Sequence, residues 1–325
     1  MQNIVVGLDI GGTNSKVGLV NTQGEVLAYD SFHSFGQNSF EHFVTALKGS
    51  LQRLQAKTGI DEVAAIGVGA PNTNANTGRM EYAHNFKWGN FVPVVERLNL
   101  EFSAPVFATN DANAAAIGEQ FYGAAKGMHD FIVVTLGTGF GSGIVIDNNL
   151  LNGSNGLAGE MGHINVKSDG RHCHCGKIGC LETYVSATGI KRTVSKLLAD
   201  RSAASSLRAV SYDQLNGKMV TEAALAGDPI AEEAYRYTAE ILGQKLADAA
   251  ALFDPEAIIL AGGLTKAGDL LLTPTRASFD RHIFPPLTGK VKILISKMED
   301  ANAAVQGAAA LAWSGLKKSV GLPII

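Results

Sequence analysis

The chain opens on two apolar runs, "NIVVGLDI" and "SKVGLV", separated by Gly11-Gly12-Thr13. β-Branched residues on both sides of a glycine turn predict a β-hairpin, its second strand starting near Lys16. Over residues 39–55, Phe40, Phe43, Val44, Leu47, Leu51 and Leu54 recur at three- and four-residue steps, which is one apolar face of a helix. "VAAIGVGAP" reads as a short buried strand running into a loop. "PVFATNDANAAAIGEQFYG" reads as a strand ending near Thr109, then an Ala-rich helix from about Asp111. Side chains at that strand-to-helix junction are expected to face a cleft.

The segment "DFIVVTLGTGFGSGIVIDNN" repeats the opening pattern: apolar run, Gly/Thr turn, apolar run. Gly12-Thr13 and Gly137-Thr138 lie 125 residues apart, so the chain reads as one plan used twice. Further on, Asp228 and Pro229 mark the start of a helix whose apolar face is Tyr235, Ala239, Leu242, Leu246 and Phe253. "AIILAGGL" is a buried strand ending in Gly262-Gly263. A last helix is predicted from about Ala301 to Leu316, with Val305, Ala309, Trp313 and Leu316 on one side. No low-complexity linker separates the halves. The pattern predicts two α/β domains, 1–116 with 303–325 and 117–302, meeting at a hinge near residue 116.

Composition adds limits. With 325 residues, 46% of them hydrophobic, the chain can bury a large core, and its length suits two domains. A net charge of -3 with 27 Lys+Arg provides no basic stripe, so nucleic acid is not an expected partner. "MQNIVVGLDI" has no basic n-region and carries Asp9, and no 18-residue apolar run occurs. A cytoplasmic protein without a membrane partner is expected. Cys173, Cys175 and Cys180 are the only cysteines. An odd number so tightly spaced in a reduced compartment points to metal rather than to disulfides.

Turns whose N–H groups point at one spot hold phosphate well, and glycine lets the backbone approach closely. Gly11, Gly12 and Thr13 form one such turn, and Gly137, Thr138 and Gly139 another. Asp9 is a carboxylate suited to a Mg²⁺-bound water near a transferring phosphate, and Lys16 adds positive charge. Neither turn is a Walker loop or a dinucleotide fingerprint, since "GTGFGSG" ends in the strand "IVID". Asp111 at the start of a helix is a candidate general base, or else a helix cap. Asn110 beside it can donate to and accept from neighbouring hydroxyls. Glu160 and His163 are three apart and would share a face of a helical turn, and Glu182 follows the last cysteine by two. Three thiolates and one imidazole make a closed tetrahedral Zn²⁺ site of the structural kind, with Gly176 and Gly179 supplying the knuckle turns. Spacing leaves the fourth ligand open among His163, His172 and His174.

"LDIGGTNSKVGLV", "NDANAAAIGE", "LGTGFGSGIVIDNNLLNGSNGLAGEMGHI" and "CHCGKIGCLE" occur in the order seen in the ROK family of sugar kinases and sugar-responsive repressors, and the resemblance covers essentially the whole chain. It implies the actin/hexokinase-like fold, two ribonuclease-H-like α/β domains closing over a cleft, with ATP between paired phosphate loops and a hexose deeper inside. It implies Asp111 as the base and sugar contacts from Asn110, Asp111, Glu160, His163, Glu182 and Asn85. Asn72 is a further candidate contact, in a loop "GAPNTNANTG" that departs from the commoner Gly-Pro-Val form. The resemblance selects His163 as the fourth zinc ligand, with His172 and His174 as bystanders, and sets the adenine and ribose against Gly262 and Gly263. The expected activity is ATP- and Mg²⁺-dependent phosphorylation of the glucose 6-hydroxyl by a homodimer or homotetramer. N-acetylmannosamine, fructose and allose are alternative substrates. A repressor would carry a helix-turn-helix before the first hairpin, and with that hairpin starting by residue 4 the kinase is the expected reading; a non-catalytic zinc-stabilised sugar-binding protein is the third.

Overall fold

The computed structural model describes residues 4–34, 39–82, 86–299 and 302–319. The chain divides into two compact units: Met1–His129 with Gly143–Ala158 and Lys297–Ile325, and Asp130–Ser142 with Gly159–Ser296. The hinge expected near residue 116 instead falls inside a continuous helix, Asp111–Tyr122, and the first unit runs on to His129.

The first unit begins with β1 (Ile4–Ile10), β2 (Asn14–Asn21) and β3 (Val26–His33), followed by helix α1 (Phe40–Thr58). Strand β4 (Ile66–Gly69) lies parallel to β1. A small antiparallel sheet of β5 (Thr73–Asn74), β6 (Arg79–Glu81) and β7 (Phe91–Val92) precedes helix α2 (Val94–Glu101). Strand β8 (Val106–Thr109) lies parallel to β4 and leads into helix α3 (Asp111–Tyr122). The main sheet is ordered β3-β2-β1-β4-β8.

The predicted apolar stripe of α1 is buried against one sheet face: Phe43 and Leu47 are fully enclosed with Leu8, Ile10 and Val68. Each such side chain contributes roughly 1.5–3 kcal/mol. The helix starts where Ser39 accepts from the His42 N–H and stops at Gly59, which takes the left-handed conformation at φ 70°.

The other face receives the C-terminal helix, Ala303–Ser319, whose Val305, Ala309 and Ala312 pack on Val5, Val20 and Ala65. Two strand glycines make room for it. A Cβ at Gly7 would lie 2.1 Å from the Val305 carbonyl oxygen, and one at Gly67 would lie 1.8 Å from that of Ala308.

The second sheet is ordered β11-β10-β9-β12-β13. It contains β9 (Phe131–Leu136), β10 (Phe140–Ile146), β11 (Asn149–Leu150), β12 (Ala257–Ala261) and β13 (Lys292–Ile295). As in the first sheet, a hairpin joined by three residues forms one side and two parallel strands extend the other. The repeat expected from the two Gly-Thr pairs is therefore a repeat of sheet topology.

Helices α4 (Glu182–Val185), α5 (Ala187–Asp200), α6 (Gly217–Leu225), α7 (Pro229–Phe253) and α8 (Asp269–His282) belong to the second unit, together with β9, β12 and β13. Asp228 caps α7 as predicted, accepting from the Ile230 and Ala231 N–H groups. Among the described residues no helix is long and apolar enough to cross a membrane.

Candidate active site

In the first unit, Asp9 stands at the penultimate position of β1, opposite Lys16 on β2 and beside Gly69 on β4. Asp111 is the first residue of α3, and a Cβ on Gly69 would reach within 3.7 Å of its Cα. The cap position belongs to Asn110. The Ala112 N–H donates to both Asn110 Oδ1 (2.9 Å) and Asp111 Oδ1 (2.8 Å). Asp111 therefore keeps a second carboxylate oxygen for chemistry.

Both acids are held above their ordinary range. Burial raises Asp9 to about 6, with the charge of Asp111 adding to the effect and Lys16 opposing it. Asp111 is raised mainly by loss of hydration at its carboxylate, and the Ala112 N–H opposes the shift. Two carboxylates at the ends of β1 and β8, either side of β4 and each raised, are poised for a proton, a hydroxyl donor or a cation.

Because the folded state favours the protonated form of Asp9, its contribution to stability is present below its usual 3.8 and is lost as pH rises through about 6. Asp9→Asn is thus expected to raise Tm relative to the native chain by more at pH 7.5 than at pH 4. Thermal melts at the two pH values check this, and an equal difference at both would count against Asp9 as the source.

The loop Gly11-Gly12-Thr13 closes the β1–β2 hairpin, and the Thr13 carbonyl accepts from the Ser34 N–H at 3.0 Å. Gly11 has no room for a side chain, since its Cβ would lie 2.5 Å from the Asn14 carbonyl oxygen. Asn72 adopts φ 52°, and its amide donates to the Tyr82 carbonyl at 3.1 Å, so it holds its own turn. Asn85 lies outside the described residues.

In the second unit, Gly137, Thr138 and Gly263 line one cavity of about 660 Å³. The Gly137 carbonyl accepts from the Ala187 N–H (2.8 Å) and the Thr138 carbonyl from the Thr188 hydroxyl (2.9 Å), tying the loop to the start of α5. Gly262, at φ 95°, brings its backbone against Leu136, where a Cβ would lie 2.7 Å from the carbonyl oxygen.

Leu215, Leu225 and Leu264 give the cavity apolar wall, and Lys191, Asn216 and Lys266 give it polar groups. Sequence reasoning missed these residues. The only signal was Asn216, which caps α6 by accepting from the Met219 N–H; isolated lysines on helices read as solvated charge.

Also in this unit, His163, Cys173, Cys175 and Cys180 bring their ligand atoms within 4.8 Å of one another. His163 ends a 3₁₀ turn, Met161–His163. Its Nδ1 lies 3.7 Å from Cys173 Sγ, the Cys175 and Cys180 sulfurs are 3.7 Å apart, and His163 Nε2 lies 3.9 Å from Glu160 Oε2. The Glu160–His163 pair thus meets, on a 3₁₀ rather than an α turn.

His172 and His174 fall outside this group, which could hold a metal ion. Burial pushes the Cys173 thiol up to about 12, a cost that a bound cation would offset. Gly176 and Gly179 take positive φ, as a tight knuckle needs. Arg171 clamps the loop from outside: its guanidinium donates to the carbonyls of Thr183 (2.7 Å) and Gly189 (2.9 Å) and to Thr193 Oγ1 (2.9 Å). Glu182 turns to the hairpin, accepting from the Phe140 N–H at 3.0 Å.

A duplicated five-stranded sheet, a glycine-threonine hairpin in each copy and paired acids at the strand ends define a chain of the actin/hexokinase-like fold. A model of the ROK family matches residues 5–314, and the chain belongs to that family. It is 37% identical over 316 residues to a glucokinase of Streptomyces coelicolor, covering 96% of this chain and 98% of the relative. A ROK family glucokinase from Streptomyces griseus, solved in complex with glucose and AMPPNP, superposes with a TM-score of 0.81 at 36% identity, covering 95% of this chain and 99% of that one. A ROK family transcriptional regulator, a homologue of the E. coli MLC protein, superposes at 0.85 with 25% identity, covering 95% of this chain and 77% of that one.

Proposed function

We propose that the chain is an ATP-dependent glucokinase that transfers the γ-phosphoryl group to the 6-hydroxyl of glucose. The observation that carries this reading is the placing of Asp9 and Asp111 at the ends of β1 and β8, either side of β4, one beside a glycine-threonine turn and one at a helix start. The similarity to glucokinases over nearly the whole chain supports glucose as the acceptor.

Phosphoryl transfer needs positioning, charge neutralisation and a group to take the hydroxyl proton. Asp111 takes the proton from the sugar 6-hydroxyl through its uncommitted oxygen. Asn110, Glu160, His163 and Glu182 hold the other hydroxyls, with Asn72 and Asn85 as further contacts. Gly11, Gly12, Thr13, Gly137, Thr138 and Gly139 present N–H and hydroxyl donors to phosphate oxygens, and Gly262 and Gly263 let the nucleoside approach backbone. Asp9 would hold a Mg²⁺ ion through a bound water, and the ion would supply neutralisation of phosphate charge.

Zinc fits the cluster of His163, Cys173, Cys175 and Cys180. A tetrahedral centre with Zn–S of about 2.3 Å has sulfur–sulfur edges of about 3.8 Å, and the Cys175–Cys180 separation is 3.7 Å. Bound there, zinc supplies structure to the wall carrying Glu160 and His163. We place the enzyme in the cytoplasm as a homodimer or homotetramer.

Assay of ADP release with glucose, mannose, fructose, allose and the N-acetylhexosamines tests the function. The highest kcat/KM is expected with glucose, and preference for another sugar would reassign the acceptor. Cys175→Ser is expected to lose zinc and to raise the glucose KM by about tenfold or more. A zinc-free variant with an unchanged glucose KM would refute the organising role given to the metal.

A further inference from the structure

We propose that Glu182 is the positioning residue through which the cysteine-histidine cluster holds the Gly137–Gly139 loop in shape for nucleotide, so that metal occupancy and nucleotide affinity are linked. This rests on the kinase reading, because the ligand of the loop is taken to be ATP. Glu182 opens α4 two residues after Cys180, and its backbone surroundings are tied to both ligand segments. The Leu181 N–H donates to the Ile164 carbonyl, next to His163, at 2.9 Å, and the Thr183 N–H donates to the Cys180 carbonyl at 3.0 Å.

From this base the Glu182 side chain reaches two ways. Oε1 faces Cys173 Sγ at 3.7 Å, and Oε2 accepts from the Phe140 N–H, immediately after the loop, at 3.0 Å. A Cβ on Gly139 would lie 2.5 Å from Oε2, so glycine at 139 is what admits the carboxylate.

The loop thereby has two anchors. Its carbonyls at Gly137 and Thr138 are held by α5, and its exit is held by Glu182. The second anchor reaches a ligand atom, Cys173 Sγ, directly, whereas α5 meets the cluster's loop beside its ligands, through Arg171. Losing the ligand set would free the Cys180–Glu182 segment and, with it, the acceptor of the Phe140 N–H.

The test is calorimetric affinity for AMPPNP, measured on the zinc-loaded native chain, Glu182→Ala and Glu182→Gln, before and after a chelator removes zinc, with zinc content determined alongside. Zinc removal is expected to weaken native binding by about tenfold or more. Glu182→Ala should retain one zinc per chain, bind AMPPNP about tenfold more weakly, and change by less than about twofold on zinc removal. Glu182→Gln, whose amide oxygen still accepts from the Phe140 N–H, should stay within about threefold of native affinity.

Native-like AMPPNP affinity in Glu182→Ala overturns the assignment. So does an equal loss on zinc removal in the native chain and in Glu182→Ala. If Glu182→Ala does not fold by circular dichroism, the native chain decides, since unchanged affinity after zinc removal is equally fatal. A native chain that binds no AMPPNP overturns the kinase reading together with the assignment, whereas every other adverse result leaves that reading intact.

Discussion

Asp111→Asn is expected to lower kcat by about three orders of magnitude, within the range that a positioned base contributes. Asparagine keeps the shape of the side chain and an oxygen for the Ala112 N–H, so the start of α3 and the Asn110 cap survive. It cannot take the proton of a hydroxyl. Glucose affinity should therefore remain within a few-fold of native while turnover collapses, a split readable from calorimetry and steady-state rates together. Near-normal turnover would remove Asp111 from the mechanism. In the proposed mechanism Asp9 and Asp111 act in their ionised forms, and both are held high, Asp9 at about 6. Activity is accordingly expected to decline as pH falls toward and below that value, the reverse of the stability trend associated with Asp9.

The largest effect on stability is expected from Gly67→Ala. The added methyl would meet the Ala308 carbonyl oxygen at 1.8 Å, a backbone atom of the C-terminal helix that no rotamer change can move aside. Overpacking of this kind costs about 3 kcal/mol or more, which in a unit of this size lowers Tm by roughly 6–12 °C. Gly49→Ala provides the control. Gly49 lies within α1, where the nearest atom to a new Cβ is the end of the Arg53 side chain at 3.6 Å. There alanine should stabilise by about 0.5–1 kcal/mol through helix propensity. Denaturant melts of the two variants should move in opposite directions; a shared sign would mean that the approach of helix to sheet at Gly67 is not tight.

Which parts of the structure were legible follows from where local chemistry dictates shape. The Gly-Thr hairpins, the stripe of α1 and the Asp228-Pro229 start of α7 were readable because each depends on neighbours in sequence. The final helix, expected from about 301, begins at Ala303. Cysteine spacing pointed to the group that could hold a metal ion, but its fourth member required a resemblance, because His163 is ten residues away from Cys173 and the two nearer histidines look equally suitable. The boundary expected near residue 116 lies within α3, which runs unbroken from Asp111 to Tyr122, and the first unit extends to His129. The wall of the second-unit cavity was invisible for a different reason: Lys191, Asn216 and Lys266 are brought together by folding, and nothing about their spacing announces it.

The glycine-lined seat of the C-terminal helix also governs the order in which the chain can fold. Val5, Val20 and Ala65, from the first strands and the approach to β4, are covered by Val305, Ala309 and Ala312, roughly 240 residues or more downstream. During translation those strands emerge early with one face bare. The second unit, by contrast, has all its strands and helices once Ser296 has been made. The later-encoded unit can thus mature first, while the earlier one waits for residues 303–319 to leave the ribosome and close it. A nascent chain stalled before that point would expose the apolar side of β1 and β4, and it is there that a chaperone would be most needed.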